Sequence, residues 1–454
     1  MTETSPSAPP GQPLRLSVVG TGYLGATHAA GMADLGHDVI GIDVEQEKVD
    51  RLSKGEVPFF EPGLSELLRR GLDSGRLRFT TSYAEAAAHA SVHFICVGTP
   101  QQSASNATEM RYVEAAIGEL AAAVTGAALV VGKSTVPSGS AERLADRLRA
   151  EARPGARIEL AWNPEFLREG TAVQDTLRPD RLVFGVADGQ AGEQAEQQLR
   201  AVYRKVIEAG CPVVVTDFAT AELVKVAANA FLATKISFIN AMAEICEVTG
   251  GDVHTLAEAL GHDERIGRRF LHAGLGFGGG CLPKDIRAFM ARAEELGVVQ
   301  AGAFLREVDS INMRRRARTV DLATQELDGD VAGARIAVWG AAFKPNSDDI
   351  RDSPALDVAT TLQSRGANVV VYDPQAVANA RRSYPQLTYA DSATAAAEQA
   401  DLILHLTEWS EFRAMDPLDL EGVVAHRRIV DGRNALDRQR WRDAGWSYRA
   451  LGRQ

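Results

Sequence analysis

LRLSVVGTGYLG, residues 14–25, decides the fold. Leu14 to Val19 is an apolar run with the length of one buried strand. Gly20-Thr21-Gly22-Tyr23-Leu24-Gly25 then reads as a glycine turn opening a helix that runs to Gly36. His37 to Asp43 forms a second strand, and Ser91 to Thr99 (SVHFICVGT) another. Such alternation is the grammar of a doubly wound sheet. Within it, glycines let a backbone approach a pyrophosphate, and the helix N-terminus favours the charge. Asp43, 23 residues after Gly20, suits a ribose 2′-OH and would repel a 2′-phosphate. The expected cofactor is therefore NAD, held by Gly20, Gly22, Tyr23, Leu24, Gly25 and Asp43. A glycine-rich turn in a nucleotide-free α/β fold is the alternative.

The same grammar returns near the C-terminus. RIAVWG (335–340) matches RLSVVG (15–20), GANVVVYDP (366–374) matches GHDVIGIDV (36–44), and 391–407 resembles 81–97. Three matched segments in one order predict two Rossmann-like α/β domains of similar topology. The second has Gly340-Ala341-Ala342-Phe343-Lys344 in place of GxGxxG, so it should bind something other than the dinucleotide. Between the halves, Asp217 to Thr249 contains no Gly or Pro and stops at Gly250-Gly251, which predicts one helix on the order of 50 Å long. The organisation expected is a flexible tail at 1–13, an NAD-binding domain at 14–215, a central helical domain and candidate subunit interface at 216–325 and a second α/β domain at 326–454.

Composition narrows the class. The 454 residues are 45% hydrophobic and 24% charged with a formal net charge of −11, which fits a globular protein and gives no support to nucleic-acid or membrane binding. No uninterrupted apolar stretch reads as a bilayer span, and the first thirteen residues lack a signal-peptide pattern, so the expected location is cytoplasmic. Four cysteines, at 96, 211, 246 and 281, form no CxxC pair, and no histidine has metal-ligand spacing, so no metal is expected.

One cysteine stands in an unusual setting. Gly274 to Gly280 holds five glycines in seven residues, then come Cys281-Leu282-Pro283-Lys284-Asp285 and the amphipathic IRAFMARAEELG. A glycine loop can wrap closely round a ligand. A helix N-terminus and Lys284 both favour a thiolate at Cys281. The plainer alternative is a small buried Cys with Asp285 as a helix cap.

Read together, STVPSG (134–139), NPEFLREG (163–170), ELVKVAANAFLATKISFIN (222–240), GFGGGCLPKD (276–285) and AFKPNSDDIRDSPA (342–355) resemble the UDP-glucose/GDP-mannose 6-dehydrogenase family, most like its UDP-glucose branch, from Leu14 through the GRN at 432–434. The resemblance implies an NAD-dependent oxidation of a sugar C6 alcohol to a carboxylate, with two NAD+ and no free aldehyde, in a homodimer or higher homo-oligomer, with 216–325 as the dimerisation domain carrying the catalytic Cys loop and 326–454 as the UDP-sugar-binding domain. It makes Cys281 the nucleophile and Asp285 the water-orienting carboxylate. Lys225 and Asn229, four apart on one helix face, become oxyanion donors. Thr135, Glu165 and Glu169 surround the reacting carbon, and Phe166, Leu167, Phe270, Phe277 and Gly278 contact the sugar nucleotide. Lys344 and Arg433 bind substrate, as does Arg265 from a partner subunit. Lys48, Thr99, Thr135, Glu169, Lys284 and Arg351 are expected near NAD. This chain departs from the family at Glu109, where an Asp is common, and at Gly280, where Ser is commoner. GDP-mannose, a UDP-amino sugar, a two-electron hydroxyacid dehydrogenase and a non-catalytic NAD-sensing dimer stay open as alternatives.

Overall fold

The computed structural model describes residues 13–102 and 105–453; of the expected tail, residues 1–12 lie outside them. Within one long helix, after Ala227, the chain separates into two compact units.

The first unit is built on eight strands: β1 (Arg15–Val19), β2 (Asp38–Ile42), β3 (Leu77–Thr80), β4 (Val92–Ile95), β5 (Ala127–Gly132), β6 (Arg157–Trp162), β7 (Leu182–Gly185) and β8 (Val213–Thr216). Their order is β3-β2-β1-β4-β5-β6-β7-β8, with β6 and β7 antiparallel and every other neighbouring pair parallel. Leu16 and Val18 enter one apolar cluster with Met32 and Phe94, while Val19 enters another with Ile42 and Ile95. Both faces of β1 are covered, which is why its sequence is a continuous apolar run. The order reverses between β1 and β4, and a crevice at such a switch point is where an open α/β sheet binds its ligand.

Two boundaries differ from expectation. The first helix is Tyr23–Asp34, because Gly36, at φ +102°, closes its end with Gly36 N donating to Ala33 O at 3.0 Å. SVHFICVGT pairs as strand only over Val92–Ile95. Cys96 N still donates to Val19 O, and beyond it Val97 to Thr99 leave the sheet.

The long helix is continuous over Phe218–Thr249 and is closed by Gly250 at φ +80°. By length and composition alone it is apolar enough to cross a bilayer, although charged residues interrupt it. Its charges are nevertheless engaged with protein: Glu222 accepts backbone N–H groups, Lys225 pairs with Glu165, and Glu247 pairs with Arg315 and Arg318.

The second unit carries six parallel strands, β9 (Arg335–Trp339), β10 (Asn368–Tyr372), β11 (Thr388–Tyr389), β12 (Leu402–His405), β13 (Arg428–Asp431) and β14 (Ser447–Ala450), in the order β11-β10-β9-β12-β13-β14. This repeats β3-β2-β1-β4-β5-β6 of the first unit. Even the register recurs, Arg15 opposite Asp38 in one sheet and Arg335 opposite Asn368 in the other. The copies diverge at the acid after the second strand. Asp43 takes Thr21 N and Oγ1, Glu45 N and Lys48 Nζ. Asp373 is fully enclosed and takes Ala341 N, Ala342 N, Gln375 N, Ala376 N and Trp409 Nε1.

Candidate active site

In the first unit the expected residues gather at the C-terminal ends of β1, β2, β4, β5 and β6. A Cβ on Gly25 would lie 1.7 Å from Gly20 O, and Gly20 itself sits at φ +86° against Val97, so both must be glycine. A Cβ on Gly22 would meet nothing within 4 Å. The turn therefore packs tightly inward and leaves bare backbone outward at the N-terminus of the Tyr23–Asp34 helix, a cradle that fits the pyrophosphate of NAD. Burial pushes the Asp43 carboxyl up, but the Thr21 and Glu45 amides and Lys48 outweigh it and hold it below the ordinary carboxylate range. Leu24 turns into the core; Thr99 and Thr135 follow β4 and β5.

After β6, Glu165 Oε1 pairs with Lys225 Nζ at 2.9 Å, and its Oε2 accepts Leu167 N at 2.6 Å. The ammonium, itself buried, also lies 5.8 Å from the centre of the Phe166 ring. Glu169 is half-buried in the same loop.

In the second unit Cys281 occupies the N-cap of the Leu282–Glu295 helix. Of the four cysteines it alone is exposed. Cys96 is enclosed, and burial pushes its thiol up to about 12. Asn229 Nδ2 donates to Asp285 Oδ2 at 2.6 Å, and Lys284 Nζ lies 2.7 Å from Asp285 Oδ1 as an ion pair without hydrogen-bond alignment. Asn229, Lys284 and Asp285 thus form one cluster in the first turn after the thiol. Phe277 places its ring in the apolar core, and its N–H and C=O are both bound by Asn312. Gly278 is enclosed, because a Cβ there would meet Asp352 O at 2.3 Å. A Cβ on Gly280 would lie 2.2 Å from the guanidinium carbon of Arg351, a flexible side chain that would have to shift.

The remaining basic residues divide. Lys344 Nζ stands 5.4 Å from the centre of the Phe343 ring, and Arg351 pairs with Asp349. Arg433 donates to Leu406 O, Gly276 O and Phe343 O, so it grips the glycine loop and the β9 turn rather than projecting outward. Arg265 is 89% exposed and paired with Asp263; it joins no cluster in this chain. Phe270 adopts φ +66°, a strained conformation for a non-glycine residue.

Three family models match in succession: the NAD binding domain of the UDP-glucose/GDP-mannose dehydrogenase family over residues 14–207, its central domain over 219–314 and its UDP binding domain over 337–438. The chain belongs to the UDP-glucose/GDP-mannose dehydrogenase family. It is an NAD-dependent nucleotide-sugar dehydrogenase. A UDP-glucose 6-dehydrogenase of Rhizobium meliloti is 42% identical, covering 97% of this chain and all of that one. A solved UDP-glucose dehydrogenase from Pyrobaculum islandicum is 40% identical with a TM-score of 0.89, covering 99% and 100% of the two chains. A solved UDP-D-ManNAc dehydrogenase from Pyrococcus horikoshii is 28% identical with a TM-score of 0.83, covering 97% and 99%.

Two carboxylates in this dehydrogenase escaped the motif reading. Glu61 accepts the Tyr23 hydroxyl, Gly170 N and Ala172 N, tying the nucleotide turn to the loop that carries Glu165 and Glu169. Glu222, three residues before Lys225, accepts Gly139 N and Ala141 N at 2.6 Å each and fixes the STVPSG loop. It lies one helical turn from Lys225, but nothing in the sequence points to the distant amides it binds. Burial pushes Glu222 up to about 7, against the pull of those amides and Arg143. A carboxyl raised in the folded state binds more protons there than when unfolded, so its contribution to stability is full below about pH 4.5 and is lost as pH rises to about 7. Glu222→Gln should remove that slope, worth on the order of 3 kcal/mol, from urea midpoints measured across this window. An unchanged slope would refute the assignment.

Proposed function

We propose that this dehydrogenase oxidises UDP-glucose at C6 to UDP-glucuronate through a thioester on Cys281. The observation that carries the reading is Cys281 itself, the one exposed thiol, at a helix N-cap beside the Asn229–Asp285–Lys284 cluster. The 42% and 40% identity of the two UDP-glucose relatives, and the TM-score of 0.89 of the solved one, exceed the 28% and 0.83 of the UDP-amino-sugar enzyme and favour glucose. NAD+, when bound, would accept one hydride in each oxidation, so two NAD+ are consumed in turn per substrate. Glu165 and Lys225 stand at the alcohol, the carboxylate for its proton and the ammonium for the developing oxyanion. The Cys281 thiolate adds to the aldehyde carbon, and the carbonyl electron pair moves to oxygen, which takes a proton in the thiohemiacetal. Oxidation of that carbon gives the thioester. Asp285, fixed by Asn229, orients the water whose attack breaks the C–S bond and returns the thiolate. Lys344 and Phe166–Leu167 bind the nucleotide sugar, while Arg433 acts by holding the loop. The test is a panel of nucleotide sugars with NADH counted per substrate. Two NADH per UDP-glucose is expected; one, with aldehyde released, or a clear preference for another sugar, overturns the reading.

The active form we propose is a homodimer closed along the long helix. Phe231, Phe238 and Ile245 are exposed at seven-residue spacing on it, with Val248 beyond, an apolar stripe that a second copy would cover. The exposed Arg265 is then available to a partner's substrate. Phe238→Glu should convert the dimer to monomer in light scattering; a dimer of unchanged mass rules this face out. Both substrates are multiply charged nucleotides that do not cross bilayers, so the enzyme works in the cytoplasm.

A further inference from the structure

Lys133 directly follows β5, before Ser134 and Thr135, and it is only 6% exposed. Its Nζ donates to Asn163 Oδ1 at 2.9 Å, Asn163 O at 3.4 Å and Tyr203 Oη at 3.2 Å. Tyr203 also donates to Asn163 Oδ1, and Asn163 Nδ2 donates to Val183 O. The hydrogen-bond partners of this buried amine are therefore all neutral, and among the described residues no carboxylate lies within ion-pair distance of it. An ammonium buried in that way is expensive, and a methionine would fill the volume without the desolvation penalty.

What the residue faces accounts for its presence. Lys133 and Glu165 line one cavity of about 50 Å³, shared with His28, Phe166, Asp175 and Tyr203. Asn163 stands two residues before Glu165, so Lys133 joins the strand end carrying Thr135 to the strand end carrying Glu165. Glu165 in turn holds Lys225. We propose that Lys133 is a further positioning residue of the dehydrogenase reaction, a buried cation behind the Glu165–Lys225 pair that fixes the Glu165 loop.

The charges around it agree with this role. Burial brings the Lys133 amine down to about 8, Cys96 and Glu165 pull it back up, and Lys225 adds to the fall. His28, from the first helix, is held neutral by burial and by Lys133. Asp175, Asp180 and Arg181 line the rest of the cavity, with the Arg181 guanidinium over Phe166 at 3.8 Å. A lysine that loses its proton near pH 8 would withdraw its support from Glu165 there.

The proposal rests on the dehydrogenase reading, and its test separates the two. The full-length protein, Lys133→Met and Lys133→Arg are assayed for NADH formation between about pH 6.5 and 10. Wild-type kcat should fall above about pH 8. Lys133→Arg, whose charge is permanent, should keep the neutral rate and carry it to higher pH. Lys133→Met should lose roughly tenfold in kcat, with little change in KM and no limb near pH 8. Its thermal midpoint should match or exceed wild type, because Asn163 keeps the Tyr203 donor and an unpaired charge is gone. Wild-type kcat in Lys133→Met, or an arginine variant with the wild-type basic limb, overturns the role. If the wild type makes no NADH from any nucleotide sugar, the dehydrogenase reading falls first and the proposal with it.

Discussion

Cys281→Ser should lower steady-state turnover by about three orders of magnitude or more, while leaving binding of NAD and UDP-glucose close to wild type. A serine hydroxyl at the N-cap of the Leu282–Glu295 helix keeps the shape of the site. It is a far weaker nucleophile than a thiolate, and the ester it forms is hydrolysed more slowly than a thioester. A rapid-mixing experiment should therefore show NADH limited to at most two equivalents per site and then a stall. Intact-mass analysis should find an acyl adduct on the protein, or free aldehyde should be trapped in solution. Steady turnover at the wild-type rate would refute covalent catalysis by this residue. Cys96, Cys211 and Cys246 cannot substitute for it, since all three are more enclosed and burial raises each thiol.

Lys225→Met should cost about two to three orders of magnitude in kcat, the usual effect of removing one preorganised oxyanion donor. It should also destabilise the fold, because Glu165 Oε1 loses the ammonium 2.9 Å away and remains a largely enclosed carboxylate. These two effects can be separated. In Lys225→Met/Glu165→Gln the orphaned charge is gone, so most of a loss of about 2–3 kcal/mol measured in urea should return. The rate should not. Recovery of both together would overturn the oxyanion role of Lys225 and the proton-accepting role of Glu165 alike.

The parts of this protein that were legible in its sequence are those whose cause is local. GTGYLG must be glycine-rich because Gly25 has no room for a Cβ beside Gly20 O, and that constraint acts over five residues. The long helix showed itself as a run without Gly or Pro, and the duplication as matched strings that fold into matched strand orders. Residues that act through distant partners were invisible. Glu222 works on amides 81 and 83 positions away, and Glu61 on amides 109 and 111 away. No periodicity or spacing rule reaches so far. Arg433 was visible as a cation beside a glycine, but its grip on three backbone carbonyls depends on where β12, the Cys281 loop and the β9 turn meet. The end of the SVHFICVGT strand was misplaced for the opposite reason: its residues stay apolar after the ladder stops, because Cys96 remains buried beneath the crevice.

The five donors gathered on Asp373 have a historical consequence. A duplicated domain could in principle revert, regaining a dinucleotide grip by restoring glycines at 341 and 342. Here reversion is blocked at a different address. The acid that would have to meet a ribose is already the keystone of its own turn, and Trp409, beyond the end of β12, is locked to it. The second copy is committed to its new ligand by its own internal wiring, and selection for specificity can act on its surface without reopening its past.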